Sequence, residues 1–194
     1  MNKQELRIKI RNELKKISPE RKKIIEARLY SCLFNTGQWQ YAKTIGITLS
    51  KSFEWNTKPI IEQAWKQHKE IVVPKVNQKN KSLSFFKINS FHDVETGSLH
   101  ILEPKSTIKE RIEKTRIDLL IIPGIVFDRS GYRIGFGGGY FDRFLIDFPN
   151  ETVSLVDCIQ LVDSIPKDVY DIPVKALVTT DKVIQSEVKH YEDG

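Results

Sequence analysis

Cysteine is scarce in this chain: Cys32 and Cys158 are the only two in 194 residues. Two isolated thiols build no disulfide framework and show none of the paired spacings of zinc or redox sites, so both read as structural thiols of a reducing compartment. Long apolar runs are also missing. The uncharged run 119–127 is nine residues, well short of the roughly 18 needed to cross a bilayer as a helix. The opening M-N-K-Q-E-L-R-I-K-I-R alternates charge with aliphatics and lacks the apolar core of a secretory leader. A cytoplasmic protein without membrane association is expected. Aromatic side chains are absent from residues 1–29, where positive charge is concentrated. Residues 1–23 hold nine Lys/Arg against three Asp/Glu, and the remaining chain carries 22 of each sign. Cationic surfaces that hold nucleic acid interleave charge with stacking rings, so no nucleic-acid partner is expected. The histidines, His68, His92, His100 and His190, fall without ligand spacing, and none is assigned a metal.

What is present is ordinary globular composition, 40% hydrophobic and 29% charged, in a length that suits one domain spanning residues 1–194 with a loose polar tail over 185–194. Asn2 is a fair N-cap for a helix running to Lys16, and Ser18 with Pro19 starts a second over residues 19–33. On the first helix Leu6, Ile10, Leu14 and Ile17 fall within about 80° of one another at ~100° per residue. Lys3 and Arg7 lie on or beside that stripe, which turns two cations toward the protein body. They either snorkel over apolar surface or face an anionic ligand. The second helix has Ile24, Ile25, Leu29 and Leu33 as its packing face.

Short β-branched or apolar runs follow at 44–49, 71–73, 83–88, 118–122, 153–156 and 176–179, with a helix over 59–69 capped by Thr57. Strands alternate with helices, so the class is α/β with a largely parallel sheet covered on both faces. Six of the ten glycines lie between Gly124 and Gly139, just past the 118–122 strand. The stretch R-I-G-F-G-G-G-Y-F-D-R, from Arg133 to Arg143, leads into a helix beginning near Tyr140. Glycines there let backbone N–H groups converge on a phosphate. The pattern is neither a Walker loop, since no G-K-[ST] follows, nor G-x-G-x-x-G, since Tyr140 stands at the third glycine. Asp142 either answers the helix dipole or holds magnesium, for which Asp171 in Y-D-I-P-V is a candidate partner.

Together these residues resemble the 5-formyltetrahydrofolate cyclo-ligase family. The resemblance runs in order through K-Q-E-L-R at residues 3–7, L-S-K-S-F-E-W-N-T at 49–57, P-K-V at Pro74, E-P at Glu103, the long P-G-I-V-F-D…G-G-G-Y-F-D-R block, and Q-L-V…I-P…Y-D-I-P-V. It implies a three-layer α/β/α sandwich with a mostly parallel central sheet. It also implies an ATP- and Mg²⁺-dependent closure of 5-formyltetrahydrofolate to 5,10-methenyltetrahydrofolate, releasing ADP and phosphate, in a monomer or weak dimer. Lys3, Arg7, Arg133, Ile134, Gly135, Phe136, Gly137, Gly138, Gly139, Tyr140 and Phe141 correspond to its ATP-binding positions. Leu49, Glu54 and residues 136–140 correspond to its folate-binding positions, Asp142 and Asp171 to its magnesium ligands, and Arg133 and Tyr140 are the catalytic candidates. Lys75 is a candidate partner for the tail of a reduced folate, polyglutamated or not. The chain departs from the family pattern at Tyr170 and in D-C-I-Q around Cys158. The rival readings are another nucleotide-dependent small-molecule kinase and a nucleotide-binding sensor on the same fold.

Overall fold

The computed structural model describes residues 1–186. Its first three helices begin where short polar side chains satisfy free backbone N–H groups. Helix α1, Lys3–Lys16, opens with a capping box in which the Asn2 side chain accepts from Glu5 N while the Glu5 carboxylate accepts from Asn2 N. Helix α2, Pro19–Phe34, is capped by Ser18, and α3, Gly37–Tyr41, by Thr36. Strand β1 is Thr44–Ile47, helix α4 Lys58–Lys66, and strands β2 and β3 are Glu70–Asn77 and Ser82–Ile88. Short strands β4, Val94–Thr96, β5, Leu102–Pro104, and β6, Arg111–Ile112, precede β7, Leu119–Ile121. Then come β8, Val126–Asp128, β9, Arg133–Ile134, helix α5, Tyr140–Leu145, and strands β10, Glu151–Leu155, β11, Leu161–Val162, β12, Ala176–Val178, and β13, Val183–Gln185.

Eight strands form the main sheet in the order β13-β12-β10-β7-β1-β2-β3-β6. The five from β12 to β2 pair in parallel, and β13, β3 and β6 add antiparallel edges. Period-two alternation separates two cores. Leu119 and Ile121 of β7 face the side that α1 to α4 cover, while Leu120 and Ile122 face the side with Phe85, Phe127 and Phe144. The second side is thin: its helical cover is α5, assisted by Phe127 from a separate β11-β8-β9 sheet. Gly46 in β1 is a close-approach position, since a Cβ there would stand 2.7 Å from a Leu120 methyl and 3.2 Å from Ile117 and Phe85.

Several expectations shift in detail. Ile24 is 60% exposed, so α2 packs through Ile25, Leu29 and Leu33 instead. Thr57 precedes α4 without capping it, because its hydroxyl donates to Thr48 O and accepts from Ser50 N. Gln185 ends a paired strand and Ser186 N donates to Lys175 O, so the start of the expected tail is ordered; residues 187–194 lie outside the described ones. No described helix is long and apolar enough to cross a membrane.

Candidate active site

One cleft of about 770 Å³ opens beyond the carboxyl ends of β1 and β7. Ligands of parallel α/β sheets bind at this edge, where chain ends splay and loops converge. The start of α1, the loop after β1, the glycine-rich loop after β9 and the segment before β12 build its polar part, and Pro74, Val76, Leu83 and the chain around Leu102 add an apolar wall.

The β8–β9 hairpin aims the glycine loop. Asp128 Oδ1 accepts from Ser130 N and Tyr132 N at 3.0 and 3.3 Å, closing a turn that requires Gly131 at φ +84°. A Cβ on Gly131 would meet Val174 O at 2.3 Å. Beyond Ile134 the chain leaves the sheet through residues 135–139, whose backbone N–H groups donate to no described residue. Gly137 and Gly139 are left-handed at φ +100° and +64°, a conformation that side-chain-bearing residues rarely adopt. Consecutive unpaired N–H groups leading into the first turn of α5 form a concave donor surface for an anion. Arg7 fixes the loop from α1, its Nε donating to Gly135 O at 2.8 Å, and Arg143 Nη1 donates to Gly138 O and Gly139 O.

Across the cleft the loop after β1 carries Leu49 and Glu54, both on the wall. Helix α2 anchors that loop: Glu26 Oε1 accepts from Asn56 N at 2.8 Å, Tyr30 Oη donates to Asn56 O, and Lys22 Nζ donates to Ser52 O. Lys51 N donates to Glu54 Oε2 at 2.6 Å. Burial pushes the Glu54 carboxyl up from its ordinary value, against the pull of that N–H and of the Lys51 and Lys22 charges. The two loops meet through aromatic contact. Phe53 lies 6.1 Å from Phe136 between centroids, and Lys51 Nζ stands 5.5 Å from the Phe136 centroid.

The charged end of the cleft is a connected network. Arg133, with 4% of its side chain exposed, donates through Nη2 to Asp142 Oδ1 at 3.0 Å and through Nη1 to Ile172 O at 2.6 Å. Ile172 N completes the ring by donating to Asp142 Oδ1 at 3.2 Å. Burial lowers the Arg133 pKa, opposed by the neighbouring Asp142 and Asp171 charges. Lys3 Nζ donates to Asp171 Oδ2 at 2.5 Å and to Asp168 Oδ2 at 2.6 Å. Burial alone would lower the Lys3 pKa, but bonds to Asp168 and Asp171 outweigh it and hold the ammonium charged.

Lys3, Arg7, Leu49, Glu54, Arg133 to Asp142, and Asp171, all placed on the site by sequence, border one cleft. Lys75 does not. Pro74 and Val76 line the cleft, so strand alternation turns Lys75 the other way, where its Nζ donates to Pro104 O. Sequence reading passed over Asp168, Lys51 and Gln160. Gln160 lies in the D-C-I-Q segment that departs from the family pattern, and its side chain ties the loop after β1 to the segment after β7. Its Oε1 accepts from Trp55 Nε1 at 2.7 Å, and its Nε2 donates to Gly124 O and Ile125 O.

Asp142 and Asp171 suit a magnesium ion held jointly with a ligand's phosphates. Asp142 Oδ2 and Asp171 Oδ1 accept no hydrogen bond from described residues, and Ile172 N links Asp142 to the residue next to Asp171. Among the described residues no group of three or more His, Cys, Asp or Glu side chains forms a complete cage. Two such carboxylates could hold Mg²⁺, which takes one or two carboxylates plus phosphates.

The chain is 31% identical to the 5-formyltetrahydrofolate cyclo-ligase of Escherichia coli strain K12 over 179 residues, covering 90% of this chain and 98% of the relative. It is 27% identical over 175 residues to the enzyme of that name from Haemophilus influenzae. The solution structure of Aquifex aeolicus 5,10-methenyltetrahydrofolate synthetase superposes with a TM-score of 0.84 at 29% identity, over the full length of both chains. A model of the 5-formyltetrahydrofolate cyclo-ligase family matches residues 1–180, and the chain belongs to that family.

Proposed function

We propose that the cleft closes 5-formyltetrahydrofolate to 5,10-methenyltetrahydrofolate at the expense of MgATP. The observation that carries the reading is a single cleft with a glycine loop of unpaired N–H groups on one wall and a half-buried carboxylate on the other, joined by the Phe53–Phe136 contact. A formamide is a poor electrophile with a poor leaving group, so its oxygen must be activated first. That oxygen attacks the γ-phosphorus, the bond to ADP breaks, and N10 then adds to the activated carbon and loses its proton. Breaking the carbon–oxygen bond expels phosphate and leaves the methenyl cation. Such a reaction needs reactants aligned and phosphate charge neutralised more than it needs a protein nucleophile.

The chain's own residues fill those roles. The free N–H groups of residues 135–139 take the transferring phosphates, and Lys3 and Arg7 supply cations from α1. Arg133 is almost wholly committed to Asp142 and Ile172 O, so it acts by fixing the carboxylate beside the loop. Asp142 and Asp171 would hold magnesium, which would supply charge neutralisation for the transferring phosphate. Glu54 accepts hydrogen bonds from the amino-pyrimidine edge of the folate, Leu49 packs against its ring, and Tyr140 and Phe136 line the boundary between the two ligands. Cys158 is an exposed free thiol, which suits the cytosol.

The test is to mix purified protein with 5-formyltetrahydrofolate and follow the near-ultraviolet band of the methenyl product. The band is expected only when MgATP is present, with ADP released in step. ATP binding without the band would leave the nucleotide loop standing and remove the folate; ATP turnover with another acceptor would make the protein a different kinase.

A further inference from the structure

Lys3 is the cation that pairs with Asp171, as Arg133 pairs with Asp142, and it is already spoken for. Its ammonium is held by Asp171 at 2.5 Å and Asp168 at 2.6 Å, while Asp168 N donates to Asp171 Oδ2 at 2.7 Å and Asp171 N donates to Asp168 O at 3.0 Å. Residues 168–171 thus close into a small turn around one ammonium. Asp171 is sunk in the cleft wall with 16% of its side chain exposed; Asp168 stands at the mouth with 70% exposed. Neither carboxylate meets another cation within salt-bridge distance among the described residues. Arg7 differs: it reaches the glycine loop through a neutral carbonyl, so an arriving phosphate competes with no carboxylate for it.

Two acids on one ammonium leave that corner one negative charge in excess. A polyphosphate approaching alone must draw Lys3 away and abandon both carboxylates unpaired beside its own charge. A magnesium-chelated polyphosphate brings the replacement with it, so Lys3 can pass to phosphate as the divalent cation passes to the Asp171 side. We propose that Asp168 is a specificity-determining residue: with Asp171 it clamps Lys3 so that the nucleotide is accepted in its metal-chelated form and disfavoured when bare. Asp168 is no ligand in this account, consistent with the lack of a three-carboxylate cage. The assignment rests on the nucleotide reading given above.

Calorimetric titration of the full chain with ADP, in excess magnesium and in excess chelator, tests it without turnover. Wild type should bind MgADP more tightly than bare ADP. Asp168→Asn keeps the shape and removes one charge at an exposed position, so its melting temperature should be unchanged. It should tighten bare ADP about two- to fivefold, the scale of a partly exposed ion pair, with little change for MgADP. In a Lys3→Met background the same Asp168→Asn change should tighten bare ADP by a smaller factor than in wild type, because only the direct charge repulsion is left to relieve. Equal weakening of both forms by Asp168→Asn would overturn the proposal and make Asp168 a support that presents Lys3 to phosphate. No effect on either form would overturn it as well. Wild type that binds neither form would overturn the nucleotide site itself, whereas normal MgADP binding with an indifferent Asp168→Asn would sink the clamp alone.

Discussion

Removing single charges from the cleft should separate the two ligands. Lys3→Ala deletes a charged donor to phosphate, a loss worth about 1.5–3 kcal/mol for hydrogen bonds to charged groups, so the apparent KM for ATP should rise roughly ten- to a hundredfold. The KM for folate should hardly move, and steady-state kinetics with each substrate varied in turn would show equal shifts if Lys3 served only folding. Asp142→Asn leaves an Oδ1 that can still accept from Arg133 and Ile172 N, so the fold should persist. Turnover at limiting magnesium should fall and recover in part at high magnesium; a magnesium dependence identical to wild type would take Asp142 off the metal. Glu54 offers a pH signature. Its pKa is raised by burial, so on acidification it takes up its proton earlier than an ordinary glutamate. Because the ionised form is the better acceptor, the KM for folate should climb as pH falls through that raised pKa, and Glu54→Gln should flatten the profile. A profile unchanged by Glu54→Gln would place the titrating group elsewhere.

At the level of elements, the glycine loop is a conformation before it is a binding site. Gly139 at φ +64° precedes α5, and a Cβ there would stand 2.9 Å from Arg143 Nη1. Gly139→Ala forces an L-residue into the left-handed region, at a strain of order 1–3 kcal/mol. The loop is open to the cleft, so the change should weaken nucleotide binding more than it lowers the melting temperature, and a large fall in melting temperature with intact binding would contradict this. Gln160→Leu acts the other way. It orphans the buried Trp55 Nε1 and the carbonyl of Gly124, costing about 1–3 kcal/mol, visible as a lower denaturant midpoint before any change in substrate preference.

These elements also show why some features were legible in sequence and others were not. Helix α1 has an unambiguous apolar stripe, and the wheel alone turned Lys3 and Arg7 inward, where the structure finds them. Helix α2 is apolar over a wider arc, so Ile24 looked like core and is not. Strands β8, β9 and β11 are two or three residues long, too short for periodicity to register, although they set the direction of the whole glycine segment. Asp168 meets Lys3 across 165 residues of chain, a contact that no local pattern encodes.

Across the whole molecule, the charge distribution follows from where α1 lies. The excess of cations in residues 1–23 reads as a basic arm in isolation. Folded, α1 brings Lys3 to Asp168 and Asp171 and Arg7 to the glycine loop, while Lys16, with its side chain 70% exposed, pairs with Glu13 toward solvent. The parallel centre of the sheet brings the loop after β1 to the same edge as the glycine segment, so the two ligands proposed above would share about 770 Å³. The central claim, that phosphate is transferred directly between them onto the formyl oxygen, is tested most directly with 5-formyltetrahydrofolate carrying ¹⁸O in its formyl group. Mass analysis of the phosphate released with MgATP should find one labelled oxygen in each molecule formed. Phosphate carrying no label would mean that ATP is hydrolysed by water and that the cleft does not join its two ligands chemically.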